Sequence, residues 1–244
     1  MNCDSFLGNT IVPINPSISP AEMWTLAELG EFLLARRADI TRLWIAAVDR
    51  SPEITSSNDL TYKQLLDHLP QLCEELAERL KAASSGVVPA TVPPDAAVHG
   101  RKRWQQGYRL DEVIREICLI RRNVFDRWLA EFSEANPIFA GEIKRTAKRI
   151  IHQFFDDVIV ESTVQFVQEN AELEKRIKDR FLATMSHNLR TPLPPILFGA
   201  TALKDEPGLS EQGREMIEII IRNANLEAGL IDQLLGVNAV NDET

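Results

Sequence analysis

Residues 181–195 read FLATMSHNLRTPLPP: helix formers, one histidine, then prolines at 192, 194 and 195. A proline inside a helix costs roughly 3 kcal/mol, because it lacks the N–H that bonds four residues back and its ring crowds that turn. The carbonyls of Asn188, Arg190 and Thr191 thus lose their usual partners to Pro192, Pro194 and Pro195. The spacing predicts a helix that bends or loosens just after His187. At 100° per residue, His187 lies about 160° from both Met185 and Leu189. With those two turned to a core, His187 faces outward. Thr191 follows one turn on along nearly the same face, and Asn188 and Arg190 flank the histidine.

Working backwards, no convincing break occurs before Asn136-Pro137, which is expected to open a helix. This predicts a helix of about fifty residues, a length typical of coiled coils and domain connectors. Within it Leu173 and Ile177, set among Glu172, Glu174, Lys175 and Arg176, fit a dimeric coiled coil. Working forwards, Ile196, Ala200 and Leu203 continue a helix to the turn DEPGLS (205–210). Ile217, Ile220, Ala224, Ala228, Ile231 and Leu234 then line one face of a second helix. Two helices joined by a short turn leave one apolar side uncovered. Pairing two such hairpins into a four-helix bundle covers it, so a homodimer is expected.

The N-terminal half is also helical. Residues 1–18 read as a loose tail. SPAE (19–22) is a capping box with Pro20 at the first helical position, followed by Leu26, Leu29, Leu33 and Leu34. Leu43, Trp44, Ala47 and Val48 form another apolar stretch. TYKQ (61–64) repeats the cap before Leu65, Leu69, Leu72, Leu76 and Leu80. AASSGVVPATVPPD (82–95) reads as a loop. Gly107 breaks the next helix and Asp111 caps a new one, whose buried face is Val113, Ile117, Ile120, Val124 and Trp128. No segment alternates with period two, so the fold class is all-α.

The 244 residues are 44% hydrophobic and 26% charged, enough for one or two domains with a core. A net charge of −9 argues against a nucleic-acid binder, and the basic cluster HGRKRW (99–104) is assigned to a solvated helix face. Cys3, Cys73 and Cys118 are too few and too scattered for a metal pattern or a disulfide framework, which suggests a reducing compartment. With no apolar run near ~18 residues and no signal-peptide layout, no membrane span is expected and the cytoplasm is the expected location.

SHNLRTPL (186–193) closely resembles the H-box of histidine-kinase dimerisation and phosphotransfer domains, and KDRFLATM (178–185) resembles that family's usual lead-in; the resemblance spans residues 175–237. It implies that His187 is the phosphoacceptor. An exposed, neutral imidazole is a competent nucleophile, and Arg190 and Thr191 can offer donors to an arriving phosphoryl group. Pro192 marks the helix bend. A response-regulator receiver domain is the implied partner. The sequence departs from the family pattern at Asn188, where an acidic residue usually accepts the histidine's proton. An amide cannot serve as a base, a loss worth roughly 10²–10⁴ in rate. The usual phosphatase motif shares that position.

RNANLEAG (222–229) resembles the family's Asn-rich box only superficially and reads as helix surface. No Asp-x-Gly-x-Gly or phosphate-cradling loop occurs up to Thr244. No cofactor is therefore expected on this chain; ATP-Mg would sit on a separate ATP-binding kinase domain. The chain reads as a segment of a longer kinase or a protein phosphorylated in trans. The alternative is a non-catalytic dimeric scaffold or decoy that binds kinases or receivers.

HGRKRWQQGYRLDEVIREICLIRRNVFDRW (99–128) resembles the helical N-terminal sensor domain of RsbR-type sigma-B regulators, through His99-Gly100, Arg103, Gly107-Tyr108, Leu110-Asp111-Glu112, Glu116 and Arg121-Arg122. This implies a globin-like helical bundle, and allows a third reading as a stress-signalling scaffold. His99 raises a haem or metal ligand, although a lone histidine beside glycine is more often structural. The expected organisation is a tail over 1–18, a sensor over 19–165, a signalling helix over 166–180 and a phosphotransfer hairpin over 181–240.

Overall fold

A computed structural model describes residues 17–66, 69–86 and 93–240. Most of the expected tail, Cys3 and the middle of the 82–95 loop lie outside those residues. Every regular element among the described residues is helical. The chain forms two compact units, one up to Asn170 and one from Ala171.

In the first unit, Ser19 opens α1 (Pro20–Ala35) with a reciprocal cap. Its side chain accepts from the Glu22 N–H, and the Glu22 carboxylate accepts from the Ser19 N–H at 2.8 Å. α2 (Arg37–Asp49) follows directly. Thr61 and Gln64 cap α3 (Tyr62–Leu66) in the same way, and α4 (Leu69–Ser84) buries Leu69, Leu72, Leu76 and Leu80. Gly30 lets α1 lie close on α4: a Cβ there would stand 2.8 Å from the Ala77 carbonyl oxygen. Leu26, Leu29, Leu33, Trp44 and Val48 join this core, each apolar side chain contributing about 1.5–3 kcal/mol of burial.

α5 (Pro94–Gln105) ends at Gly107, whose φ of 78° only glycine adopts cheaply. α6 (Leu110–Asn123) buries Val113, Ile117 and Ile120. A single π-helical turn, Val124–Trp128, passes into α7 (Leu129–Ala135) and leaves Trp128 buried. The Val124 side chain lies outside the described ones. α8 (Gly141–Arg190) is fifty residues long. Its residues up to Val158 present Ile143, Ala147, Ile150, Ile151, Phe154 and Phe155 to the core.

Three expectations are corrected in this unit. Asp111 lies inside the first turn of α6, paired with Arg109 and Arg115. The Arg109 carbonyl starts the helix instead, and the Glu112 carboxylate reaches back to the Arg109 N–H at 2.8 Å. Asn136 does not open α8. It closes α7, donating from Nδ2 to the Phe132 carbonyl, and α8 starts at Gly141. HGRKRW is not a solvated face: His99, Gly100 and Arg103 are buried, because α5 is enclosed by α6 and α8.

In the second unit α8 gives way at Thr191–Pro192 to α9 (Leu193–Lys204), and a turn leads to α10 (Glu211–Val240). α9 and α10 pack as an antiparallel hairpin on Leu193, Ala224 and Ile231, with Leu197 and Ala228 beside them. The expected second-helix stripe is only partly covered. Ile217, Ala224 and Ile231 are buried, whereas Ile220 is exposed. Ile196 and Leu203 of α9, and Met185 and Leu189 of α8, are exposed too. Within one chain these side chains have no layer to pack against. The Leu234 side chain lies outside those described.

Candidate functional site

The last turn of α8 carries His187, Asn188 and Arg190, all exposed. The helix stops there because Pro192 removes the N–H that would bond the Asn188 carbonyl. The His187 carbonyl is doubly satisfied: the Thr191 N–H donates to it at 3.0 Å and the Thr191 Oγ1 at 2.7 Å. Pro192 then caps α9, its carbonyl accepting from the Ile196 N–H at 3.3 Å. Pro194 and Pro195 fall in the first turn of α9, where an N–H would have no helical partner. The proline cluster therefore makes one clean interruption rather than a series of kinks.

Around it lies an open groove of about 420 Å³ lined by Ala183, Ser186, His187, Arg190, Thr191 and Pro194. Ser186, one of the lining residues, is buried, and Leu193 anchors the following turn against α10. Of the residues picked out in the sequence, His187, Arg190 and Thr191 share this groove. Asn188 and Pro192 are exposed beside it. Both donors have partners: the Thr191 hydroxyl holds the His187 carbonyl, and Arg190 forms an ion pair with Asp232 of α10. Asp232 was not legible in the sequence. It lies forty-two residues from Arg190, and only the hairpin register brings the two together.

The first unit holds a second polar constellation. Arg103, fully buried, donates to both oxygens of the buried Glu116 and to the carbonyls of Gln64 and Leu65. Its guanidinium lies 5.0 Å from the Tyr108 ring centre, and His99 Nε2 is 4.0 Å from Glu116. Burial pushes the Glu116 carboxyl up while Arg103 pulls it back. Glu112 accepts from the N–H groups of Thr55, Ser56 and Arg109 and from the hydroxyls of Thr55 and Ser56. Burial works to raise its pKa, yet these hydrogen bonds hold it down at about 2. Of the residues that carry the N-terminal resemblance, Arg103, Glu112 and Glu116 thus form a polar frame tying α5, α6 and the 55–56 turn together, whereas Asp111 and Arg121 make surface ion pairs. His99 belongs to that frame. Among the described residues, no group of three or more His, Cys, Asp or Glu side chains is placed to hold a metal ion.

Residues 38–180 match the RsbT co-antagonist protein rsbRD N-terminal domain, and residues 177–238 match the His Kinase A (phospho-acceptor) domain. No solved structure matches the chain. No helix among the described residues is long and apolar enough to cross a membrane. The chain belongs to the family of the rsbRD N-terminal domain, joined to a His Kinase A domain, and is a histidine-kinase-type signal transduction protein.

Proposed function

We propose that His187 takes up and passes on a phosphoryl group, on a four-helix bundle formed by two copies of the α9–α10 hairpin together with the end of α8. The observation that carries this reading is the exposed His187 on the last turn of α8. It opens onto a groove with Arg190 and Thr191, inside the segment that matches the phospho-acceptor domain. An unprotonated ring nitrogen attacks phosphorus in line, and the bond from phosphorus to the donor's leaving oxygen breaks. The donor would be ATP-Mg held by a separate kinase domain, and a response-regulator receiver domain would dock at the same groove to remove the phosphoryl group. Thr191 and Pro192 keep the histidine on a helix end with open space beyond it.

Dimerisation is part of the proposal. The hairpin's own core rests on Leu193, Ala224 and Ile231, while Phe181, Met185, Leu189, Ile196, Ile219 and Ile220 stay exposed in the single chain. That apolar surface is what a second hairpin would cover.

Asn188 favours a second reading, a scaffold that binds kinases or receivers without transferring phosphate, because an amide cannot take the histidine's proton. The two readings separate on the native protein. It is isolated from its own cells at neutral to alkaline pH and mapped for phosphohistidine by mass spectrometry, with His187→Ala as control. Phosphate at residue 187, absent from the variant, is the expected result. Its repeated absence, where other phosphohistidines survive, favours the scaffold.

A further inference from the structure

Resting on the phosphoacceptor reading, we propose that Asp232 is a positioning residue for His187: it holds Arg190 in a neutral pair and releases it when a phosphoryl group arrives. Arg190 lines the groove with His187, one turn along α8, and brings a permanent positive charge to it. Its guanidinium is paired with the Asp232 carboxylate of α10. Both side chains are more than half exposed, at 51% and 66%, so the pair is weak and readily exchanged. A phosphohistidine brings close to two negative charges and three acceptor oxygens to the groove. That outcompetes one solvated carboxylate for the guanidinium. Arg190 then changes partner, and α10 loses its link to the end of α8. Asp232 thereby sets how much positive charge the empty groove shows to an anionic donor, and it carries the phosphorylation state of His187 to the second helix of the hairpin.

The test uses phosphoramidate and the full chain. An unprotonated ring nitrogen of His187 forms a bond to phosphorus as the donor's own P–N bond breaks. Ammonia leaves and takes up the proton that the phosphoimidazolium sheds. Asp232→Asn frees Arg190 and is expected to speed phosphorylation roughly two- to fivefold, the scale of an exposed ion pair, with a steeper salt dependence. Arg190→Gln slows it, and the double variant matches Arg190→Gln alone. Modification of His187 by diethyl pyrocarbonate, an uncharged reagent, stays unchanged in Asp232→Asn, as it would not if the aspartate merely propped the hairpin. Equal phosphoramidate rates in wild type and Asp232→Asn, or additive effects in the double variant, overturn the proposal.

A second measurement does not depend on phosphate. In arginine-labelled protein the Nε–H resonance of Arg190, assigned by its loss in Arg190→Gln, moves in Asp232→Asn. If it does not move, the pair is not formed and the proposal falls. If it moves but the wild type takes no phosphate at all, the phosphoacceptor reading fails, and the pair's role in phosphorylation fails with it.

Discussion

Glu75 of α4 accepts from the Asp95 N–H at 3.3 Å through one carboxylate oxygen, while the other is buried without a hydrogen-bond partner. Burial pushes its carboxyl up to about 7; the Asp95 N–H draws it back, and the charges of Asp95 and Glu78 add to the rise. A folded pKa above the ordinary 4.5 means that stability is fully present below 4.5 and is lost as pH rises through 7. Glu75→Gln keeps an acceptor for Asp95 and removes the penalty. It should therefore stabilise the protein at pH 8 by about 1 kcal/mol, after discounting for partial exposure, and change nothing at pH 4. Thermal melts of both proteins at the two pH values check this. Glu112 has the opposite sign: its contribution is present above 4.5 and is lost only as pH falls towards 2. Both residues are glutamates in helical, mixed sequence. What separates them is five donors converging on one and a single donor on the other, which no local pattern encodes.

Gly100 and Ser162 decide how α5 meets α8. A Cβ on Gly100 would stand 2.1 Å from the Ser162 carbonyl oxygen, and the Ser162 hydroxyl donates to the Ala96 carbonyl at 2.8 Å. Arg101–Glu169, Arg121–Asp156 and Arg79–Asp157 ion pairs add links from α5, α6 and α4 to the same stretch of α8. Alanine in a free helix would gain about 1 kcal/mol over glycine. At Gly100 the obstacle is backbone, which cannot swing aside. Gly100→Ala should cost roughly 1–3 kcal/mol net, read as a lower midpoint in denaturant unfolding. An unchanged or raised midpoint would show that α5 does not sit this closely. At this scale the capping boxes at Ser19 and Thr61 and the length of α8 were plain in the sequence, because capping and periodicity are local. The starts of α6 and α8 were not, since Asp111 and Asn136 serve an ion pair and the end of α7.

The second unit as a single chain leaves Ile219 and Ile220 about half exposed, at 48% and 46%, on a helix that buries Ile217, Ala224 and Ile231; Ile220 flanks that buried stripe and Ile219 lies across the helix from it. Those three recur every seven residues, the period of a bundle seam. Covering an isoleucine contributes roughly 1.5–3 kcal/mol, and a symmetric pair of chains covers each position twice. On the proposed homodimer, Ile219→Glu with Ile220→Glu should therefore shift sedimentation equilibrium towards monomer, with helicity by circular dichroism retained. A double variant that sediments like the wild type would place the interface on another face.

From sequence alone came the all-α class, the interruption after His187, the outward histidine, and the resemblance of each half to its family. Each rests on neighbours within a few residues: proline's missing N–H, the helical period, a contiguous motif. Only the tertiary structure decided that Arg103, Glu112 and Glu116 form a buried frame, that Arg190 is held by Asp232, and that Ile196, Leu203 and Ile220 of the expected apolar stripes stay uncovered in one chain. Burial and pairing between residues dozens of positions apart depend on how helices are enclosed, and a periodic pattern says which face is apolar without saying what lies against it.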